Sequence, residues 1–268
     1  MRIFLKTEDE IILLRAASQL ATRALIEVGR HVVPRLALSH LRNKVVNAVM
    51  RTVPTESNSG KEALSSDTEF TFFVNGAYIE PSLEGECMLC EGDWLTVNCW
   101  VCLNGYYSFG AHTFIVGSSQ DDEPMTSTLR DMLRQVVRRA SAGHSIKEMS
   151  RTVYSLHSHD PYVLLKTFGH GVGRNRLENP ILRMNPGVND AVLLKEGMCL
   201  VIALAFKHGR SHFIKPRLMH ESTFHNPFVP FGTTVVVRPG RPEILTSFET
   251  IVKYRRTNSK RLWQSKPL

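Results

Sequence analysis

The sequence predicts an α+β fold in a single domain, on three observations. Two helical runs open the chain and a second pair lies in its middle. Runs of β-forming residues separate these pairs and follow the second. An Asn-Gly dipeptide between two of those runs marks antiparallel pairing.

The elements follow in order. Thr7 with Glu10 forms a capping box that opens a helix through DEIILLRAASQLATRALIEVGRHV. Ile11, Leu14, Ala17, Leu20, Ala21, Leu25 and Val28 recur at helical spacing and give it one apolar face. Val33 and Pro34 end it. A second amphipathic helix is predicted over 39–49, and the polar, turn-rich stretch 54–69 reads as a loop. Strands are expected at FTFFVNGAYI, WLTVNCWVCLN and YYSFGAHTFIVG, the last two joined by Asn104-Gly105. A basic helix over 127–142 and a helix over 145–157 follow, the latter turning Ile146, Met149, Val153 and Leu156 inwards. The remainder reads as a strand at YVLLKTFG, a tight turn at GHGVGR, and strands at MCLVIALAF and TTVVVRP.

Composition bounds the function. With 43% hydrophobic and 22% charged residues over 268 positions, a folded globular protein is expected. No apolar run approaches the roughly 18 residues of a membrane span, so no membrane partner is expected. The start MRIFLKTEDE carries three acids and no apolar leader core. The expected compartment is the cytoplasm, with an organellar matrix as the alternative. Five cysteines without an export signal argue for reduced thiols. Cys87, Cys90, Cys99 and Cys102 have zinc-ribbon spacing, but Cys99 and Cys102 fall on one predicted strand. Three apart there, they point to opposite faces and cannot share an ion, so they read as core residues. Cys87 and Cys90 remain a surface thiol pair.

Charge supplies the partner expectation. The formal charge is +8 from 33 basic and 25 acidic residues. Six of the bases lie in 253–268, with no acid, so the rest of the chain is near neutral. The domain is therefore drawn as 1–250, and 251–268 as a basic tail with Lys253, Arg255, Arg256, Lys260 and Arg261. Tyr254 and Trp263 interleave with these cations, a composition suited to base stacking and phosphate contact. Arg130, Arg134 and Arg138, with Arg139 at their edge, are predicted to line one helix face. Together they predict an anionic partner such as RNA. His208, His212, His220 and His225 lie in loop and strand context and read as surface residues.

Five segments resemble one known family. KTEDEIILLRAA, EGDWLTVNCWVCLNGYYSFGAHTFIVG, FGHGVGRN, LLKEGMCLVIALAF and PEILT match, in order, segments of type I methionine aminopeptidases. The resemblance covers about Lys6 to Thr246. It implies the pita-bread fold of peptidase family M24, an antiparallel curved sheet flanked by two helix pairs. It also implies a site for two divalent metal ions, held by four carboxylates and one imidazole.

Carried onto this sequence, those ligand positions fall at Asn98, Phe109, His170, Ala203 and Gly232, so only the imidazole is present. No acid lies between His225 and Arg241, so no shift of alignment restores the last carboxylate. Two substrate-facing histidines of the family fall at Glu80 and Leu177. The expectation is a pseudoenzyme with its metal site lost, no cofactor, and His170 as a vestigial acid or base or a residue hydrogen-bonded within its turn. Its partner would be ribosomal, RNA-containing or otherwise acidic, or a peptide N-terminus held without cleavage. The alternative is a divergent hydrolase with residual or metal-independent activity, drawing on His170, Glu80, Glu178 and His112.

Overall fold

The computed structural model describes residues 2–53, 64–117, 124–157, 163–164, 167–184, 192–207, 228–247 and 249–253. Helix α1 spans Glu8–His31, and its capping box forms as the sequence predicts, with Thr7 and Glu10 each accepting from the other's backbone N–H. Helix α2 spans Leu38–Met50. Strands β1 (Glu69–Val74) and β2 (Ala77–Ile79) come next, then β3 (Trp94–Leu103) and β4 (Tyr106–Ile115). Helices α3 (Pro124–Arg138) and α4 (Ile146–His157) form the second pair. Strands β5 (Val163–Leu164), β6 (Thr167–Gly171), β7 (Glu178–Arg183), β8 (Cys199–Lys207), β9 (Phe228–Val236) and β10 (Glu243–Ile244) complete the described fold.

All described pairings are antiparallel. The sheet order is β2-β1-β3-β4-β9-β8-β6-β7, with β10 on β9 and β5 on β8. Helices α1 and α2 bury one core against β1, β3 and β4, where Leu25, Leu41, Phe72, Val97 and Phe114 meet. Helices α3 and α4 bury a second against β6 to β9, around Leu133, Met149, Phe168, Ile202 and Phe231. A third, smaller cluster at the junction includes Ile11, Phe109, Val172, Val201 and Val236.

Several expectations need correction. FTFFVNGAYI is a hairpin, not one strand, because Asn75 and Gly76 both take positive φ (51° and 83°) and turn the chain. GHGVGR does not form a tight turn, since His170 and Gly171 belong to β6. Its glycines serve close approach instead: a Cβ on Gly171 would lie 2.2 Å from the Asn179 carbonyl oxygen, and one on Gly173 would lie 2.2 Å from Lys6 Cε. ENPILR forms β7, which the sequence reading missed. Ile251 and Val252, assigned to the tail, are buried, Ile251 in the first core. The tail beyond Lys253 and the four histidines from His208 to His225 lie outside the described residues.

The arginine stripe on α3 is not a surface stripe. Arg130 is 4% exposed. Arg134 is bound to Asp131 and Glu249, and only Arg138 and Arg139 are exposed. The reason is helical drift: each i+4 step advances about 40° around the axis, so three such residues span a quarter turn. Arg130 is thereby carried to the edge of the buried face that holds Leu133 and Val137.

The cysteines divide as expected. Cys99, Cys102 and Cys199 are buried and Cys90 is exposed, all as free thiols. Burial raises the Cys99 thiol and pushes Cys199 up to about 12. Cys87 is half-buried, and burial pushes it up to about 11, so the outer pair does not hold a reactive thiol at that position.

Candidate functional site at the sheet junction

Cross-strand register brings the five sequence-marked positions to one place. Asn98 on β3 faces Ala111 on β4, Ala111 faces Gly232 on β9, and Gly232 faces Ala203 on β8. Directly opposed residues share a face of the sheet, so these four make one row across four strands. Phe109 lies two residues from Ala111 on β4, and His170 on β6 faces Val201, two residues from Ala203. Both therefore stand on the same face as the row. Helix α1 packs on the other face, where Leu25 lies against Gly110 and the Ser18 and Ser108 hydroxyls meet at 2.6 Å.

The centre of the row is filled by a ring. A Cβ built on Gly232 would lie 2.6 Å from Phe109 Cε1 and 3.1 Å from the Ala203 methyl. Phe109 thus occupies the volume that any side chain at 232 would need. Its backbone is fixed as well: its N–H donates to the Thr234 hydroxyl at 2.9 Å, and its carbonyl accepts from Thr234 and Thr246, both at 2.9 Å.

Around Phe109 the surface is aromatic and cationic. Trp100 packs on Phe109 with centroids 4.8 Å apart and stacks on His170 at 6.1 Å, nearly parallel. Arg176 lies over Trp100 and Tyr107, and its guanidinium pairs with Glu69 at 2.8 Å and donates to the Asp67 carbonyl. His170 Nδ1 donates to the Gly171 carbonyl at 2.8 Å, and burial holds its pKa below the ordinary value. The ring is therefore neutral near pH 7, with Nδ1 committed to the backbone. Asn98 Oδ1 is buried and has no hydrogen-bond partner among the described residues.

The other sequence candidates lie apart from this arrangement. Glu80 is exposed at the N-cap of a short 3-10 turn, and Leu177 is exposed beside Arg176. Glu178 is buried in a 2.6 Å ion pair with Lys6. His112 is fully buried on the opposite face of β4 from Phe109, its ring against Phe114 and Phe231. The sequence reading missed Trp100 and Arg176. The β3–β4 register implied by Asn104-Gly105 would have placed Trp100 opposite Phe109, but nothing local marks Arg176.

The donors present do not suit a pair of hard divalent ions. At the five positions they amount to one imidazole and one amide oxygen, and a ring stands among them. Among the described residues, no three His, Cys, Asp or Glu side chains cluster as metal ligands would.

Comparison with known proteins places the chain. Residues 12–239 match the model of metallopeptidase family M24. The methionine aminopeptidase of Clostridium perfringens is 25% identical over 91% of this chain and 98% of its own. That of Helicobacter pylori strain 26695 is 29% identical over 78% and 85%. Among solved structures, methionine aminopeptidase from Thermotoga maritima superposes with a TM-score of 0.73 at 22% identity, covering 92% of this chain and all of that one. Prolidase from Pyrococcus furiosus gives 0.67 at 20% identity, over 91% and 65%. These share the pita-bread fold, an open antiparallel sheet with helices, as the sequence resemblance implies. The chain belongs to metallopeptidase family M24, among the relatives of the methionine aminopeptidases.

Proposed function

We propose that this chain is a non-catalytic member of its family that acts in the cytoplasm by binding. Its partner in this reading is a ribosomal or other RNA-containing particle. The observation that carries the loss of catalysis is the Phe109 ring seated against Gly232 and Ala203, at three of the positions where the family would place carboxylates. Burying that ring stabilises the junction by about 1.5–3 kcal/mol, where an unpaired carboxylate would cost desolvation. The anionic partner is supported by the basic residues beyond Val252 and by exposed cations on the domain itself.

A divergent hydrolase has weaker support. Of its candidate residues, Glu178 is spent on Lys6, His112 lies on the far face, and the Nδ1 of His170 is committed to the backbone.

The test combines two measurements on the purified protein: metal content, and cleavage of short peptides that begin with methionine. No stoichiometric divalent metal and no turnover with added Co²⁺ or Mn²⁺ are expected. Two bound ions per chain, with turnover abolished by a chelator, would overturn the reading. Co-sedimentation with ribosomal particles, lost at raised salt, tests the partner.

A further inference from the structure

Helix α4 also presents exposed cations. Lys147, Arg151 and Tyr154 stand at i, i+4 and i+7, within about 60° of one another around the helix. All three are exposed, Tyr154 to 69%, which is unusual for a large aromatic side chain. The helix lies along the end of β7, where Ser150 donates from Oγ to the Arg183 carbonyl at 2.8 Å; Leu182 turns into the α3–α4 core, so the Arg183 side chain belongs to the other face of the sheet.

The side chains of Lys147, Arg151 and Tyr154 form no hydrogen bond or ion pair among the described residues. That sets them apart from Arg15, Arg42, Arg134, Arg176 and Arg238, each of which meets a carboxylate. The neighbouring acid, Glu148, is drawn away. It accepts from the Ser145 backbone N–H at 2.6 Å as half of a capping box, with His144 at 3.5 Å. Two cations with no ion pair among the described residues and one solvent-facing ring therefore share a face about 10 Å long.

We propose that this α4 face binds single-stranded RNA, with Lys147 and Arg151 on backbone phosphates and Tyr154 stacked on an unpaired base. The proposal rests on the RNA-partner reading above and adds to it a surface and a preference for unpaired strands. An aromatic ring beside unpaired cations is the arrangement that single-strand binders use, and a duplex offers no exposed base face to such a ring.

The test is fluorescence anisotropy of a labelled oligo(U) RNA titrated with the full chain over a series of salt concentrations. The variant Lys147→Gln/Arg151→Gln should lose about tenfold in affinity, and the slope of log K against log salt should shrink by about 1.4. Tyr154→Ala should lose about tenfold, and Tyr154→Phe should bind like the parent. The thermal midpoint should not move, since all three side chains are exposed. Unchanged binding by the double variant, with binding lost when the basic residues beyond Val252 are neutralised, would overturn this surface while leaving the RNA-partner reading intact. Failure of the full chain to bind RNA at all would sink both. A polyglutamate peptide bound through the same residues, with oligo(U) left unbound, would mark an acidic-protein surface and overturn the RNA assignment. An equal preference for hairpin duplex RNA, or no effect of Tyr154→Ala, would remove the single-strand claim.

Discussion

At the scale of single residues, Phe109 and Gly232 depend on one another. Three hydroxyl-mediated hydrogen bonds fix the Phe109 backbone and Trp100 backs its ring, so admitting a methyl group at 232 requires the ring to shift against Trp100. Gly232→Ala is therefore expected to destabilise the protein by about 1–3 kcal/mol, as overpacking does. Phe109→Ala should cost about 3 kcal/mol, at the low end for a phenylalanine because the ring is not fully enclosed. The double variant should cost less than the sum, because removing the ring frees the space the methyl needs. Urea denaturation of the four proteins checks this, and additive effects would mean that the two positions do not compete for one volume. The identities at this site were legible in the sequence once the resemblance was drawn. That the ring of Phe109 fills the room at Gly232 was not, because it depends on which strands β4 and β9 become neighbours.

At the scale of elements, legibility depended on whether one face of an element could be identified from spacing alone. Helix α1 could be read almost to the residue, since its capping box fixes the start and seven apolar positions fix the face. Strand β7 could not: it is short, it carries Pro180, and it lies at the sheet edge, where a strand tolerates proline. The loop before it is held by a bond that no local pattern announces. Lys6, just ahead of α1, reaches Glu178 at the start of β7 across 172 positions, with both side chains about 5% exposed. Glu178 also accepts from the Asn175 N–H at 3.2 Å, so the pair anchors the segment that carries Arg176. Lys6→Met should cost about 3–5 kcal/mol, because it leaves a buried carboxylate without its partner. Replacing both, as Lys6→Met/Glu178→Leu, should recover most of that loss. Equal losses in the single and double variants, read from thermal or urea unfolding, would show that packing of the lysine stem matters and the charge pair does not.

At the scale of the molecule, two cores share one sheet, and their junction is the narrowest part of its ladder. Between β4 and β9 the described register is the single pair Ala111–Gly232, whereas β3–β4 pairs ten residues. Side-chain hydroxyls replace the missing ladder. Thr234 satisfies both the N–H and the carbonyl of Phe109, Thr246 adds a second donor to that carbonyl, and Thr113 donates to the Pro230 carbonyl at 3.2 Å. Helical and strand periodicity revealed the two halves, but not this stitching, because a threonine in a strand reads as a β-former whether or not its hydroxyl crosses to a neighbour. The stitching makes an asymmetric prediction. Thr234→Val keeps the shape but leaves the buried N–H of Phe109 without an acceptor, at a cost of about 1–3 kcal/mol. Thr246→Val leaves that N–H bonded and the carbonyl still served by Thr234, so it should cost clearly less, although both threonines are buried. If the two halves depend on this junction to unfold together, Thr234→Val should also lower the urea m-value, as a transition does when it ceases to be two-state. A Thr246→Val variant as damaged as Thr234→Val would indicate that general packing holds the junction and not the Phe109 N–H bond.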